Sequence, residues 1–229
     1  MNKIIQISNL NKTYGDISPT VALKNINLEI NEGEITAIIG QSGSGKTTLL
    51  NMIGLLDTPT NGNITINGQD VRNLTNDQRA EFRNEVMGFV FQFHYLLPEF
   101  SVIENVKMPC WIRCGKTRSQ DDKWADTLID LVGLKEEANK LSTKISGGQR
   151  QRTAIARALM NKPKIILADE PTGNLDTKNS DNIYEIFKKI NHDLKTTFVI
   201  ITHSEEIAKR ANRIIEIKDG EIKSDSKKY

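Results

Sequence analysis

Gly40-Gln41-Ser42-Gly43-Ser44-Gly45-Lys46-Thr47 has the composition and spacing to hold a phosphate. The stretch fits the pattern G-x-x-x-x-G-K-[ST] without a mismatch. Gly40, Gly43 and Gly45 let the backbone curl so that several N–H groups converge on one anion. Lys46 adds a full positive charge near the β- and γ-phosphates of a nucleotide. The hydroxyl of Thr47 suits a Mg²⁺ ion. A helix that begins here adds the partial positive charge of its N-terminus, with Thr48 in its first turn. The chemistry indicated is binding, and possible hydrolysis, of a nucleoside triphosphate.

Such a loop works only between a strand and a helix, and the flanking residues supply both. Ile35 to Ile39 is an apolar run that reads as a buried strand, and Thr48 to Ile53 reads as a helix closed near Gly54. Upstream, Ile4 to Leu10 and Ala22 to Ile30 alternate and predict strands, with Asn11 to Pro19 as a loop between them. Downstream, Asn63 to Gly68 predicts a short strand with its turn. Thr75 to Asn84 predicts a polar surface helix capped by Thr75. Val86 to Phe91 predicts a buried strand ending at Gln92. The pattern from Phe93 to Met160 is helical, broken by Pro98, Pro109, Gly115 and Gly133. Its last helix opens at Ser146-Gly147-Gly148-Gln149, where Ser146 and Gln149 make a capping-box pattern. Strand character returns at Lys164 to Ala168, which ends in Asp169-Glu170. A helix from Lys178 to His192 follows, then a strand from Thr197 to Thr202 ending at His203, and a helix from Ser204 to Ala211. Arg213 to Lys218 and Glu221-Ile222 form a hairpin on the turn Asp219-Gly220. Lys223 to Tyr229 reads as a solvated tail. Alternation of strands and helices predicts an α/β core with a parallel sheet and a separate helical lobe.

The chain has 229 residues, enough for one large domain that buries about 70% of its unfolded surface. Its 31 Lys and Arg against 29 Asp and Glu give a formal charge of +2, which does not suggest a nucleic-acid partner. No stretch approaches ~18 consecutive apolar residues, so no membrane span is expected. The residues from Met1 to Gln6 lack the apolar core of a signal peptide. Cys110 and Cys114 read as reduced thiols in a cytosolic setting.

A phosphate loop alone does not separate a kinase from a GTPase or a motor. Ile145-Ser146-Gly147-Gly148-Gln149, with the loop upstream and Ile165 to Glu170 downstream, resembles the ATPase subunits of ABC transporters over nearly the whole chain. The family commonly has Leu where this chain has Ile145. The resemblance implies a single ABC ATPase domain over residues 1–229. Its fold would be α/β: a P-loop NTPase core with a mixed or parallel sheet, an N-terminal antiparallel β subdomain, and an inserted α-helical subdomain of about residues 93–160. It implies ATP and Mg²⁺ as ligands. Asp169, Thr47 and Gln92 would serve the metal, Glu170 would polarise the attacking water, and His203 would contact the γ-phosphate. Two adjacent acids at a buried strand end are costly unless a cation sits beside them. Tyr14 would stack on adenine. Asn174-Leu175-Asp176 resembles the loop that crosses between subunits. Ser146, Gly147, Gly148 and Gln149 would face the γ-phosphate bound by a second, head-to-tail subunit that is expected to be identical. Binding would close that dimer and hydrolysis would reopen it.

The aromatic stretch from Gly88 to Phe100, which holds four of the seven phenylalanines, resembles that of the lipoprotein-releasing ATPases of bacterial envelopes, with the macrolide-exporter type close to it. Both drive membrane subunits, which the resemblance places in contact with Phe93 to Phe100, on the cytoplasmic face of the bacterial inner membrane. An ATP switch of the cell-division type, gating a partner without transport, is the alternative. A DNA-repair ATPase would carry a long coiled coil and a ribosome-associated one a second cassette, and neither is present.

Overall fold

The computed structural model describes residues 2–15 and 17–227. Met1, Asp16, Lys228 and Tyr229 lie outside the described residues, and with them the start of the chain, one position of the expected Asn11–Pro19 loop and the end of the expected tail. In chain order the elements are β1 (Lys3–Tyr14), β2 (Thr20–Asn31), β3 (Ile35–Ile39), α1 (Lys46–Ile53), β4 (Asn61–Ile66), β5 (Gln69–Asp70), α2 (Asn76–Val86), β6 (Met87–Phe91), α3 (Val102–Cys114), α4 (Ser119–Leu131), α5 (Gly147–Leu159), β7 (Ile165–Asp169), α6 (Thr177–Leu194), β8 (Thr197–Ile201), α7 (Glu205–Ala208), β9 (Arg213–Lys218) and β10 (Glu221–Lys227).

The strands form two sheets. An antiparallel sheet has the order β2-β1-β4-β5. A six-stranded sheet has the order β10-β9-β3-β8-β7-β6, parallel except for the β9–β10 edge. β7 and β8 are apolar because both their faces are covered: Ile165, Ile166, Leu167 and Ala168 are buried, as is all of β8. One core lies between the antiparallel sheet, α1 and one face of the six-stranded sheet. The other lies between the opposite face and the helices, including α3 to α6. Each Ile or Leu fully buried there contributes ~1.5–3 kcal/mol against exposure. In a parallel sheet the carboxyl ends of all strands open on one side, so β3, β6, β7 and β8 deliver their following residues to a common edge.

The local signals explain most boundaries. Thr75, Ser101 and Ser146 each cap a helix in a full capping box. Five expectations are corrected. β1 does not end at Leu10 but continues to Tyr14, because Asn11 pairs with Asn61 and Tyr14 with Thr20. Pro109 does not break the lobe's first helix: it sits inside α3, and its carbonyl accepts hydrogen bonds from the side chains of Asn84 and Asn161. The lobe is helical from Val102, not Phe93. Residues 93–101 are irregular, their backbone held by the buried Asn105, whose amide donates to the carbonyls of Leu97, Phe100 and Ser101. Most of the expected tail is strand: β10 pairs along β9, and Arg213 donates to both oxygens of Asp225 at 2.6 and 2.5 Å. The last helix is also shorter than expected, α7 alone, with the side chain of Ser204 as its cap. Among the described residues no helix is long and apolar enough to cross a membrane.

Candidate functional site

The loop between β3 and α1 has the shape its glycines predict. Gly40 and Gly45 take φ of 152° and 104°. A Cβ on Gly40 would lie 2.1 Å from the Ile217 carbonyl oxygen, and one on Gly45 2.6 Å from that of Ala22. No other residue fits at either place. Gly45 is the N-cap of α1 and offers no side chain to it, so the first-turn N–H groups are left for an external acceptor. Lys46 is buried and donates to the carbonyls of Gly40 and Gln41 at 2.9 and 2.8 Å. The Ser44 hydroxyl is buried and has no hydrogen-bond partner among the described residues.

A cleft of about 460 Å³ opens on this loop. Its walls join Gly40, Ser42, Gly43, Gly45, Lys46, Thr47 and Thr48 to Gln92, Asp169, Glu170 and His203. Asp169 ends β7, in register with Phe91 on one side and Ile201 on the other. Burial, and then the neighbouring Glu170 charge, raise the Asp169 carboxyl above its ordinary range, while the Thr47 hydroxyl and the Lys46 ammonium pull it down. Glu170 has a left-handed backbone, φ 45°, fixed by its N–H to the Ile201 carbonyl at 3.0 Å. Its Oε2 lies 2.9 Å from His203 Nδ1 and accepts from the His203 backbone N–H at 3.3 Å. Gln92 is tied to Asn174 twice: its amide donates to Asn174 Oδ1 at 3.2 Å, and its carbonyl accepts from Asn174 Nδ2 at 3.3 Å.

The donor set fits a triphosphate with a hard cation. Thr47 Oγ1 and Asp169 Oδ2 are oxygens 3.5 Å apart. A divalent ion beside them would offset the charge that burial disfavours on Asp169. Among the described residues no three His, Cys, Asp or Glu side chains could hold a metal unaided, so such an ion needs phosphate oxygens to complete its shell.

The remaining expected residues lie outside the cleft. Tyr14, at the end of β1, is 41% exposed; its hydroxyl donates to Asp57 Oδ2 at 2.8 Å and the Lys12 ammonium sits 4.6 Å from its ring centre. Ser146, Gly147, Gly148 and Gln149 open α5, and none lines the cleft of its own chain. Gln149 Oε1 accepts from the Ser146 N–H at 2.8 Å and Ser146 Oγ from the Gln149 N–H at 3.3 Å. Leu175 precedes Asp176, which caps α6 by accepting from the Asn179 N–H at 2.8 Å.

Two residues on α5 escaped the sequence reading. Gln151 is buried and donates to the carbonyls of Pro171, at 2.5 Å, and Phe91, at 3.4 Å. It thereby ties α5 to the residues flanking Glu170 and Gln92. Arg157 donates to the carbonyls of Tyr95 and His94 at 2.6 and 2.7 Å. The available signal was a polar residue one turn before Ile155, on the face that α5 buries.

A model of the ABC transporter family matches residues 23–173. The lipoprotein-releasing system ATP-binding protein LolD 1 of Rhodopseudomonas palustris is 44% identical over 224 residues, covering 97% of this chain and 99% of its own. A solved dimeric structure of MJ0796, described as a bacterial ABC transporter cassette, matches with a TM-score of 0.89 at 42% identity, covering 97% of this chain and 98% of that one. A dimeric post-hydrolysis state of MJ0796 bound to ADP and Pi matches with the same score at 41% identity and the same coverage.

Proposed function

Because this chain belongs to the ABC transporter family, we propose that it is the ATP-hydrolysing subunit of a membrane transporter that releases lipoproteins. The observation that carries this reading is the single cleft in which the phosphate loop, Asp169, Glu170, His203 and Gln92 converge. The phosphates lie in the loop from Gly40 to Thr48, facing the uncapped first turn of α1 and the Lys46 ammonium. Thr47, Asp169 and Gln92 would hold Mg²⁺, which supplies positive charge to the β- and γ-phosphates. Glu170 accepts a proton from water as that water attacks the γ-phosphorus, and the bond to the β-phosphate oxygen breaks to leave ADP and phosphate. His203 fixes the Glu170 carboxylate and contacts the γ-phosphate. Tyr14 takes the adenine.

The signature residues Ser146, Gly147, Gly148 and Gln149 serve the nucleotide of a second, identical subunit in a head-to-tail dimer. Their absence from the walls of their own cleft supports this, as does the dimeric form of the related cassette. Their capping box uses N–H groups that a phosphate would compete for. Asn174 to Asp176 form the loop that crosses to the other subunit, with Asn174 joining it to Gln92. Phe93 and Tyr95 are 63% and 66% exposed, which suits contact with a short cytoplasmic helix of the membrane subunit on the cytoplasmic face. Cargo release follows from dimer closure transmitted through that contact, as the likeness to the lipoprotein-releasing protein suggests.

Glu170→Gln tests the reading. Hydrolysis should slow by ~10²–10⁴ while ATP binding persists, and the variant should accumulate as an ATP-dependent dimer in gel filtration. Retained turnover near the parent rate would overturn the assignment.

A further inference from the structure

Tyr14 is the last residue of β1 and pairs with Thr20 of β2. Gly15, at φ 80°, turns the chain out of the sheet directly after it. An exposed ring at the end of a strand turns about its own side-chain bonds unless something beyond the strand holds it. Two contacts do. Its hydroxyl donates to Asp57 Oδ2 at 2.8 Å, and the Lys12 ammonium sits 4.6 Å from its ring centre. Lys12 is buried, and its ammonium is fixed in turn by Asp57 Oδ1 and the Thr58 carbonyl, both at 2.8 Å. Burial works against the charge of Asp57, yet hydrogen bonds from Lys12, the Thr58 N–H and Tyr14 hold its carboxyl below the usual range. Asp57 is therefore a carboxylate at neutral pH. A carboxylate only accepts, so the Tyr14 O–H must point at it.

Asp57 lies at the far end of the helix that opens at the phosphate loop. α1 starts at Lys46 and runs to Ile53, and the N–H groups of Leu56 and Asp57 then bond back to the Asn51 carbonyl at 2.9 and 3.4 Å. The phosphate loop and Asp57 are thus two ends of one rigid piece. Tyr14 reaches that piece from the antiparallel sheet. Neither Lys12 nor Asp57 lines the cleft that holds the phosphate loop.

We infer that Asp57 and Lys12 are positioning residues for the base of the nucleotide, locking the Tyr14 ring at a fixed place relative to the phosphate loop. This rests on the reading of Tyr14 as the adenine platform and adds what holds the platform. Lys12 covers one face of the ring, so the base takes the other. A ring already locked gives up no rotor freedom when the base arrives. A free tyrosine has to be ordered by the nucleotide, and that cost is subtracted from affinity. The chemical step is untouched, because the reacting phosphate lies at the opposite end of the ligand.

Steady-state ATP hydrolysis tests this, with inorganic tripolyphosphate, which has phosphates and no base, as a competitor. Tyr14→Phe keeps the ring and loses the hydroxyl, and Asp57→Ala removes the acceptor. Each should raise the KM for ATP about three- to tenfold, with kcat within about twofold of the parent. The inhibition constant of tripolyphosphate should not move. The double variant should lose no more than the larger single loss, because both changes release the same ring. A parental KM in Tyr14→Phe beside a raised one in Tyr14→Ala means that the ring stacks without being held, which overturns the inference and leaves the adenine reading standing. A parental KM in Tyr14→Ala removes the adenine reading and this inference with it. Losses that multiply in the double variant, or tripolyphosphate binding that weakens in step with ATP, also overturn it, since the residues then act separately or through the fold. If Asp57→Ala melts early, Tyr14→Phe decides alone.

Discussion

Thr47 Oγ1 and Asp169 Oδ2 stand 3.5 Å apart, one opening α1 and the other ending β7. They meet across 122 residues of chain because parallel strands deliver their carboxyl ends to one edge. The carboxylate lies in an environment that disfavours its charge.

Asp169→Asn should therefore separate stability from function. The raised folded-state pKa means that folding favours the protonated acid. Stability from this group is fully present below its unfolded pKa and is lost as pH rises through the folded value. At neutral pH the nucleotide-free Asn variant should melt above the parent, and below about pH 4 the difference should vanish. Mg²⁺-dependent ATP binding should be lost at the same time. Calorimetry across pH checks the first part and nucleotide titration the second; an Asn variant less stable than the parent at pH 7 contradicts the account.

Cysteines at Ser42 and Ser146, both exposed, should report the arrangement of subunits. The exposed Cys114 is first replaced by Ser; Cys110 is buried and can stay. Oxidation with ATP should join two chains, and oxidation with ADP should yield far less product. Mass spectrometry of the crosslinked peptides distinguishes the cases, and a linkage within one chain defeats the head-to-tail dimer.

Gln151 is a positioning residue with a distinct signature. Gln151→Leu strips hydrogen bonds from the carbonyls of Phe91 and Pro171, at ~1–3 kcal/mol for each buried group left unpaired. The melting temperature should fall. Turnover should fall further, by ~10-fold or more, because Pro171 directly follows Glu170, the proposed general base. ATP affinity should hold, since neither carbonyl lies in the phosphate loop. Equal loss of affinity and turnover would mean that the residue matters only for the fold.

The readable parts of the chain were those whose partners are close in sequence. The phosphate loop, the capping box at Ser146 and the buried strands each announce themselves within a few residues. The misread parts depend on distant partners. Residues 93–101 have helix-compatible composition, yet their carbonyls are taken by Asn105 and Arg157, and nothing local reveals that. Pro109 reads as a breaker but lies inside α3, where its carbonyl accepts from the side chains of Asn84 and Asn161, partners on other elements that nothing local reveals. β10 is polar because it is an edge strand, so hydropathy takes it for a tail. Tyr14 and His203 could be placed, but their contacts to Asp57 and Glu170 could not.

One helix, α5, carries Ser146 at its entrance, Gln151 one turn in and Arg157 near its far end. From Ser146 to Arg157 is 11 residues, or ~16 Å of rigid rod. A rod of that length without a proline or a bulge has no elastic slack to absorb a push. A shift of the turn at His94 and Tyr95, whose carbonyls Arg157 holds, would therefore be passed along α5 to Ser146 as movement of one rigid body, with Gln151 keeping the helix tied to Phe91 and Pro171. Such a machine has a gear ratio fixed by where along α5 its contacts fall, and moving Arg157 by one turn would change the stroke without touching the chemistry.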